Sequence, residues 1–262
     1  MRTSPDPSNP AKGDAVDAAR RAGQGKTFGV AAAAYERGRP PYPQAAIDWL
    51  VPATAVDVVD LGAGTGKFTR QLLAPNRNVV AIDPDAEMLA ELRRVVPGVR
   101  TEVGSAEALP LADSSVDVIT VAQAWHWVDL DRAVPEVARV LRPGGQLGLV
   151  WNVRDESAEW VAELSMVIHQ GGSQELTERD PIVGTPFAPL ERQTFSWTHT
   201  VSTDAFRDMV ASRSYVIVLP PDEREQVIND TMRVALHAQP DSNVIKIPYV
   251  TYAYRTQVAG VE

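Results

Sequence analysis

A glycine-rich segment at residues 60–67, Asp-Leu-Gly-Ala-Gly-Thr-Gly-Lys, has the residue types and the spacing expected of a ligand-binding turn. It follows a β-branched run at 56–61 that is typical of a buried strand, and a helical pattern starts at Lys67. Glycines at such a junction let the backbone approach a ligand closely, because no Cβ atom stands in the way. In a parallel α/β sheet, ligands bind beyond the carboxyl ends of the strands. The segment therefore predicts a ligand site at this turn.

Two common nucleotide-binding motifs do not fit this spacing. A P-loop requires glycine where Leu61 stands and Ser or Thr where Phe68 stands. A dinucleotide-binding Gly-x-Gly-x-x-Gly motif requires its third glycine at the position of Lys67, whereas the third glycine here is Gly66. The spacing argues against an NTPase and leaves a nicotinamide or flavin enzyme as a minor alternative.

The elements around this turn alternate between strands and helices. Alternation of this kind is typical of a parallel sheet with helices on both faces, and it predicts a doubly wound α/β fold. Beyond residue 152 the pattern is less regular, and we expect its pieces to complete the sheet and to cover one end of it. The further predicted strands are 79–82, 99–103, 116–121 and 146–151, and the predicted helices between them are 86–96 and 130–141.

Composition excludes several classes of partner and of chemistry. The 262 residues carry 25 Lys and Arg against 34 Asp and Glu, a net charge of -9 that repels a nucleic acid backbone. There is no cysteine, which excludes disulfides, thiolate metal sites and cysteine nucleophiles. No apolar run resembles a signal peptide or spans a bilayer, so we expect a cytoplasmic protein without a membrane partner.

Several segments together resemble one enzyme family. The order Asp-Leu-Gly-x-Gly-x-Gly after a first strand resembles motif I of the class I S-adenosylmethionine-dependent methyltransferases. Residues 104–110 resemble the adenine loop of that family, 121–124 its motif IV and 141–145 its turn before strand five. The resemblance covers about residues 56–151. It implies a Rossmann-like sheet of about seven strands, mostly parallel with an antiparallel last strand, under a helical cover.

The resemblance also implies a cofactor and the residues that bind it. S-adenosyl-L-methionine would be the cofactor, S-adenosyl-L-homocysteine the product, and no metal is expected. Asp60 would lie near the ammonium group of the cofactor, and Asp83, which ends the second strand, would accept hydrogen bonds from both ribose hydroxyls. The full predicted cofactor set is Asp60, Gly62, Ala63, Gly64, Thr65, Gly66, Asp83, Pro84, Met88, Ser105, Ala106, Glu107 and Gln123.

A Trp-His-Trp segment at 125–127 directly follows the fourth strand, at the ligand end of the predicted sheet. His126 is the candidate catalytic base or substrate hydrogen-bond donor, and Trp125 and Trp127 would shape the acceptor pocket. The alternative is that all three residues pack the cover. With Tyr35 and Arg39 near the start, the segment resembles a subgroup of small-molecule methyltransferases that includes yeast-type trans-aconitate methyltransferases. By that resemblance, Tyr35 and Arg39 would touch the methionine end of the cofactor or the acceptor.

These observations predict the organisation of the chain and its activity. Residues 1–27 read as a flexible tail and 28–262 as one methyltransferase domain, with entry helices at 28–55, a cofactor-binding half at 56–152 and an acceptor-determining half at 153–262. We expect in-line methyl transfer to a small-molecule acceptor at a carboxylate or hydroxyl oxygen, by a monomer or homodimer. A non-catalytic regulator or partner subunit that binds S-adenosylmethionine is the alternative.

Overall fold

A computed structural model describes residues 39–168, 180–240 and 242–259 of the chain. The predicted tail at 1–27 and residues 28–38 of the predicted entry helices lie outside the described residues. The described helices are α1 (Gln44–Leu50), α2 (Lys67–Leu72), α3 (Ala86–Val95), α4 (Leu130–Val140), α5 (Glu159–Ile168), α6 (Thr203–Ala211), α7 (Ser214–Ile217) and α8 (Pro221–Ala238). The strands are β1 (Asp57–Leu61), β2 (Asn78–Asp83), β3 (Arg100–Val103), β4 (Val116–Ala122), β5 (Leu141–Arg154), β6 (Glu191–Ser202) and β7 (Val244–Gln257).

All seven strands form one sheet in the order β3-β2-β1-β4-β5-β7-β6. The first five strands along the chain run parallel to one another, whereas β7 lies antiparallel between β5 and β6. The carboxyl ends of β1, β2 and β4 meet at one edge, because Leu61 pairs with both Ile82 and Val121. The prediction of a Rossmann-like, mostly parallel sheet with an antiparallel last strand is therefore confirmed.

Helices cover both faces of the sheet. Neighbouring residues of a strand point to opposite faces, and apolar residues of β1 pack against helices on each face. In β1, Val58 packs with α1 and α2, while Val59 packs with α4 on the other face. A separate apolar cluster joins α5, α6 and α8 to the first residues of β7 and forms the predicted cover. The helical cover therefore lies over the end of the sheet where β7 begins.

Strand β5 begins earlier than the sequence pattern indicates. Leu141 pairs with Val116 and Gln146 pairs with Val118, so residues 142–145 bulge out between two paired positions. Gly144 has a φ of +73° in this bulge, a backbone conformation that glycine adopts without steric cost. The predicted turn before strand five is thus an interruption within that strand.

Asp117 joins the amino ends of β1 and β4. Its Oδ2 accepts hydrogen bonds from the backbone N–H groups of Val56 and Asp57, both at 2.9 Å, and Arg142 forms ion pairs with Asp117 and Asp57. Desolvation opposes ionisation, but the backbone N–H groups and Arg142 together hold the pKa of Asp117 below its usual value. A depressed pKa stabilises the fold above the unfolded-state pKa, and this stabilisation is lost as the pH falls through the folded-state pKa.

We expect Asp117→Ala to lower the free energy of unfolding by about 2 kcal/mol at neutral pH, because two backbone donors lose their acceptor and Arg142 loses its ion pair with Asp117. Urea unfolding followed by circular dichroism measures the change. Asp113→Ala is the matched control, since Asp113 is 78% exposed and contacts Arg139 at the surface, where a pair contributes less than about 1 kcal/mol. Equal losses for the two variants would contradict this role of Asp117.

Candidate active site

A cleft opens at the carboxyl edge of the sheet, beside the glycine-rich turn. Its volume is about 600 Å³ when the open space at its mouth is counted. The segment before α1, the glycine turn, the ends of β4 and β5, and two residues of the second half all contribute to it. The lining residues are Arg39, Pro40, Tyr42, Asp60, Gly62, Ala63, Gly64, Thr65, Lys67, Phe68, Ala122, Gln123, Asn152, Arg213 and Tyr249.

The three glycines of the turn have positive φ angles but serve different purposes. A Cβ atom on Gly62 would lie 2.8 Å from the Cβ of Ala124, and one on Gly66 would lie 2.7 Å from Cγ of Leu92. Gly64, with a φ of +55°, would place a Cβ with no atom within 4 Å, and it lines the cleft. Gly62 and Gly66 are therefore required for packing, whereas Gly64 keeps the cleft open.

Asp60 is fully buried at the end of β1 and lines the cleft. Its Oδ2 accepts a hydrogen bond of 2.6 Å from the hydroxyl of Thr69, while its Oδ1 is buried and has no hydrogen-bond partner in the described part of the chain. Burial raises the pKa of Asp60 to about 7, and the nearby carboxyl of Asp83 contributes to the rise. A buried carboxyl oxygen without a donor, at the wall of a cleft, provides a binding position for a cationic or N–H group of a ligand.

Asp83 ends β2 and holds the glycine turn in place. Its Oδ2 accepts a hydrogen bond of 2.8 Å from the backbone N–H of Gly64, and its Oδ1 accepts one of 2.9 Å from the N–H of Asp85. Burial raises its pKa. Each carboxylate oxygen can accept more than one hydrogen bond, so the predicted bonds to two ribose hydroxyls remain compatible with this arrangement.

The other predicted cofactor residues follow β2 and β3, next to the cleft along the same edge. Met88 is buried on α3. Glu107 accepts a hydrogen bond of 2.9 Å from the backbone N–H of Asp129, which ties the loop after β3 to the start of α4. The predicted cofactor residues outside the lining of the cleft are Gly66, Asp83, Pro84, Met88, Ser105, Ala106 and Glu107. Their cofactor contacts stay predictions.

Gln123 lies at the end of β4 with a φ of +58°, a strained conformation for a residue other than glycine. Its Nε2 donates to the backbone oxygen of Asn152 at 3.1 Å. The side chain of Asn152 donates to the carbonyl of Pro41 and accepts from the hydroxyl of Thr251, which in turn accepts from the indole N–H of Trp197. This hydrogen-bonded chain connects the segment that carries Arg39 to β5, β7 and β6.

The Trp-His-Trp segment forms a single 3₁₀ turn after β4. Trp125 is buried and its indole N–H donates to the carbonyl of Ile182 at 2.9 Å, whereas Trp127 is 45% exposed. His126 accepts a long hydrogen bond of 3.5 Å from the indole N–H of Trp151, and burial lowers its pKa to about 4. These three residues are not part of the cleft lining given above, and their roles toward an acceptor stay predictions.

Two predicted substrate residues remain, Tyr35 and Arg39, and the structure describes only Arg39. Arg39 lines the cleft. Tyr35 lies outside the described residues. Eight lining residues lie outside the predicted cofactor, catalytic and substrate sets, namely Pro40, Tyr42, Lys67, Phe68, Ala122, Asn152, Arg213 and Tyr249. Two of these positions carried a signal in the sequence, because Lys67 follows β1 through the glycine turn and Asn152 lies near the carboxyl end of β5.

Comparison with known proteins agrees with this geometry. A family model described as a methyltransferase domain matches residues 59–149. An uncharacterized methyltransferase of Mycobacterium tuberculosis is 50% identical over 237 residues, which covers 89% of this chain and 96% of that protein. The chain belongs to the methyltransferase family. The match extends through the second half of this methyltransferase, beyond the region covered by the family model.

Solved structures support the same fold. A protein of Anaeromyxobacter dehalogenans assigned as a type II methyltransferase is 25% identical, with a TM-score of 0.61 over 85% of this methyltransferase and 99% of that chain. Phosphoethanolamine N-methyltransferase 2 of Haemonchus contortus, solved with S-adenosyl-L-methionine, is 17% identical with a TM-score of 0.51 over 89% of this chain and 57% of that one. The second likeness concerns the fold alone.

The described part of this methyltransferase lacks a membrane-spanning helix and a metal-binding group of side chains. It contains no helix that is both long and apolar enough to cross a membrane. In the same residues, no group of three or more His, Asp or Glu side chains is placed to hold a metal ion.

His126 as a general base can be tested by His126→Gln. If His126 removes a proton from the acceptor, we expect kcat to fall by about 10²–10⁴ with little change in KM. The pH profile of the unmodified enzyme should show no step from His126 between pH 5 and 8, because a group with a pKa of about 4 is already unprotonated there. Methyl transfer measured with labelled cofactor gives both constants, and a loss of kcat below tenfold would contradict the assignment.

Proposed function

We propose that this protein is an S-adenosylmethionine-dependent methyltransferase that methylates a small molecule at an oxygen atom. The observation that carries the proposal is Oδ1 of Asp60, a buried carboxyl oxygen at the wall of the cleft that has no donor among the described residues. A ligand with an ammonium group would supply the missing donor and a compensating charge. We propose a cytoplasmic monomer or homodimer without a nucleic acid partner.

The residues present fit S-adenosyl-L-methionine. Asp60 would hold the ammonium group of the cofactor, and Asp83 would bind its ribose. The backbone from Gly62 to Gly66 would approach the cofactor closely, because no side chain fills the space at Gly64. When bound, this cofactor supplies an activated methyl group on a sulfonium. The chain therefore has to orient an acceptor and to exclude water from the reacting atoms.

An oxygen acceptor is supported by the charges of the cleft. Three basic side chains, Arg39, Lys67 and Arg213, line it together with one acidic side chain, Asp60, although the whole chain carries a net charge of -9. A carboxylate is already ionised at neutral pH and needs no general base. The low pKa of His126 and its position beside Trp151 are compatible with an acceptor of this kind.

The test is to incubate the pure protein with methyl-labelled S-adenosyl-L-methionine and a mycobacterial metabolite extract, and then to identify the labelled products by mass spectrometry. We expect label in the small-molecule fraction, in products that release methanol on alkaline hydrolysis if the acceptor is a carboxylate. Label confined to macromolecules would contradict a small-molecule acceptor. Tight cofactor binding without transfer to any fraction would instead favour a non-catalytic binding protein.

A further inference from the structure

The hydroxyl of Tyr249 is a polar group that the fold leaves without a partner. Tyr249 lies near the start of β7, where it pairs with Arg154 of β5 and with Trp197 of β6. Its side chain is 2% exposed, and its hydroxyl has no hydrogen bond within the described residues. A buried hydroxyl without a partner is unfavourable unless a ligand completes it. Because Tyr249 also lines the cleft, a ligand in the cleft can accept this hydrogen bond.

The aromatic ring of Tyr249 is held in position by its neighbours. It stacks on Trp197 with ring centroids 5.4 Å apart and meets His199 edge to face at 6.2 Å. The Trp197 indole is anchored in turn by its hydrogen bond to Thr251. A ring fixed on two sides keeps its hydroxyl in one place, which favours a binding role over a flexible surface role.

Arg213 supplies a positive charge to the same cleft. It precedes α7, is half-buried, and lines the cleft with Tyr249. Its guanidinium has no hydrogen bond or ion pair to any residue that the structure describes, whereas Arg139, Arg142 and Arg255 are paired with carboxylates. An arginine without a carboxylate partner among the described residues is available for an anionic ligand.

The lining of the cleft comes from both halves of the chain. Asp60 and the glycine turn belong to the first half of the chain, on the side proposed for the cofactor. Arg213 and Tyr249 belong to the second half, which contains the cover. We infer that the acceptor carries a carboxylate group, and that Arg213 and the hydroxyl of Tyr249 bind this group on the cover side of the cleft. The inference rests on the methyltransferase activity proposed above.

A carboxylate suits these two donors better than a phosphate group. The planar guanidinium offers paired N–H donors that match the two oxygens of a carboxylate, and the Tyr249 hydroxyl adds a third donor. A phosphate monoester carries a charge of about -1.5 to -2 near pH 7 and has a tetrahedral group of oxygens, which the planar pair of N–H donors of a single guanidinium matches less well than it matches a carboxylate. We therefore expect mono- and dicarboxylic acids to bind and phosphate monoesters of similar size to bind weakly.

The test measures binding by isothermal titration calorimetry in two steps. The first titrates S-adenosyl-L-homocysteine into the protein. The second titrates a panel of small carboxylic acids, their methyl esters and matched phosphate monoesters into the protein saturated with that nucleoside. Variants Arg213→Gln and Tyr249→Phe are compared with Arg233→Gln, an exposed arginine on α8, and Tyr252→Phe, which packs on the other face of β7.

We expect at least one carboxylate to bind the saturated protein and its methyl ester to bind more weakly. Arg213→Gln and Tyr249→Phe should each weaken carboxylate binding about tenfold or more, because each removes a donor to a charged group. The affinity for S-adenosyl-L-homocysteine should stay within about twofold of the unmodified protein in all four variants, and the two controls should also keep carboxylate affinity.

Three results would overturn the inference. They are preferential binding of phosphate monoesters, unchanged carboxylate affinity in both cleft variants, and a loss of nucleoside affinity in Arg213→Gln, which would assign Arg213 to the cofactor. Failure of the first titration with the unmodified protein would instead refute the proposed cofactor.

Thermal unfolding without ligands adds a further readout, because Tyr249→Phe removes a hydroxyl that has no partner among the described residues and should leave Tm unchanged or raised. A lowered Tm would indicate a structural role for that hydroxyl.

Discussion

Gly64→Val is expected to abolish the binding of S-adenosyl-L-homocysteine while the protein remains folded. An added Cβ at Gly64 meets no atom of the described residues within 4 Å, so the valine side chain would occupy the cleft itself. The cost to folding is limited to the positive φ of +55° at this position, which for an L-residue is about 1–2 kcal/mol. Isothermal titration calorimetry measures the affinity, and thermal unfolding measures the stability.

Gly98→Val is the matched control for this substitution. Gly98 has a φ of +87° and likewise has no atom within 4 Å of a built Cβ, but it lies in an exposed turn before β3. We expect a similar loss of stability and an unchanged affinity for the nucleoside. Normal binding by Gly64→Val would place the cofactor elsewhere. Substitutions at Gly62 or Gly66 are less informative, because a Cβ there collides with Ala124 or Leu92 and damages the packing.

Asp60→Asn is expected to weaken the binding of S-adenosyl-L-homocysteine about a hundredfold, on the order of 3 kcal/mol, because the ammonium group of the ligand loses a buried counter-charge.

The same substitution, Asp60→Asn, should stabilise the ligand-free protein at pH 8. Asp60 is fully buried with a pKa raised from 3.8 to about 7, and keeping such a group ionised costs folding up to about 4 kcal/mol. We expect a gain of about 1–3 kcal/mol, because the asparagine N–H groups would be left without acceptors.

The pH dependence follows from the direction of this shift. A carboxyl whose pKa is raised by folding contributes stability at low pH, and this contribution is lost as the pH rises from about 4 to about 7. The gain from Asp60→Asn should therefore be large at pH 8 and small at pH 4. Nucleoside affinity should change in the opposite sense and increase as the pH rises to about 7, since the ammonium group requires an ionised Asp60.

Urea unfolding at several pH values, together with calorimetric titrations, tests both trends for Asp60→Asn. Asp131→Asn serves as the control, because Asp131 is exposed in the first turn of α4. Retained affinity in Asp60→Asn would contradict the assignment of the ammonium group to Asp60. A stability difference that does not vary with pH would contradict the raised pKa.

The cofactor side of the cleft could be predicted from the sequence because its signals are local. Asp60, the glycine turn and Lys67 occupy one continuous strand–turn–helix segment, so residue spacing alone indicated their proximity. Asp83 ends the neighbouring parallel strand, which places it at the same edge. The start of β1 differs from the predicted one by one residue, because helix and strand ends carry the weakest signals.

The acceptor side could not be predicted in the same way. Tyr249 reaches the cleft because β7 runs antiparallel between β5 and β6, and no short segment of sequence specifies a pairing between residues so far apart. The orientation of residues 125–127 depends likewise on a hydrogen bond from Trp125 to the carbonyl of Ile182. Spacing identified a Trp-His-Trp turn at the correct edge, but which side chains face the core is decided by this distant contact.

The position of β7 also determines when the cleft can become complete during synthesis. Strand β6 leaves the ribosome before β7, yet in the described sheet it is an edge strand joined to the rest by β7. The hydrogen bonds that lead from Trp197 through Thr251 and Asn152 to Pro41 require the same strand. A nascent chain can therefore form the glycine turn early, but it cannot join both walls of the cleft until its last strand has been released and inserted.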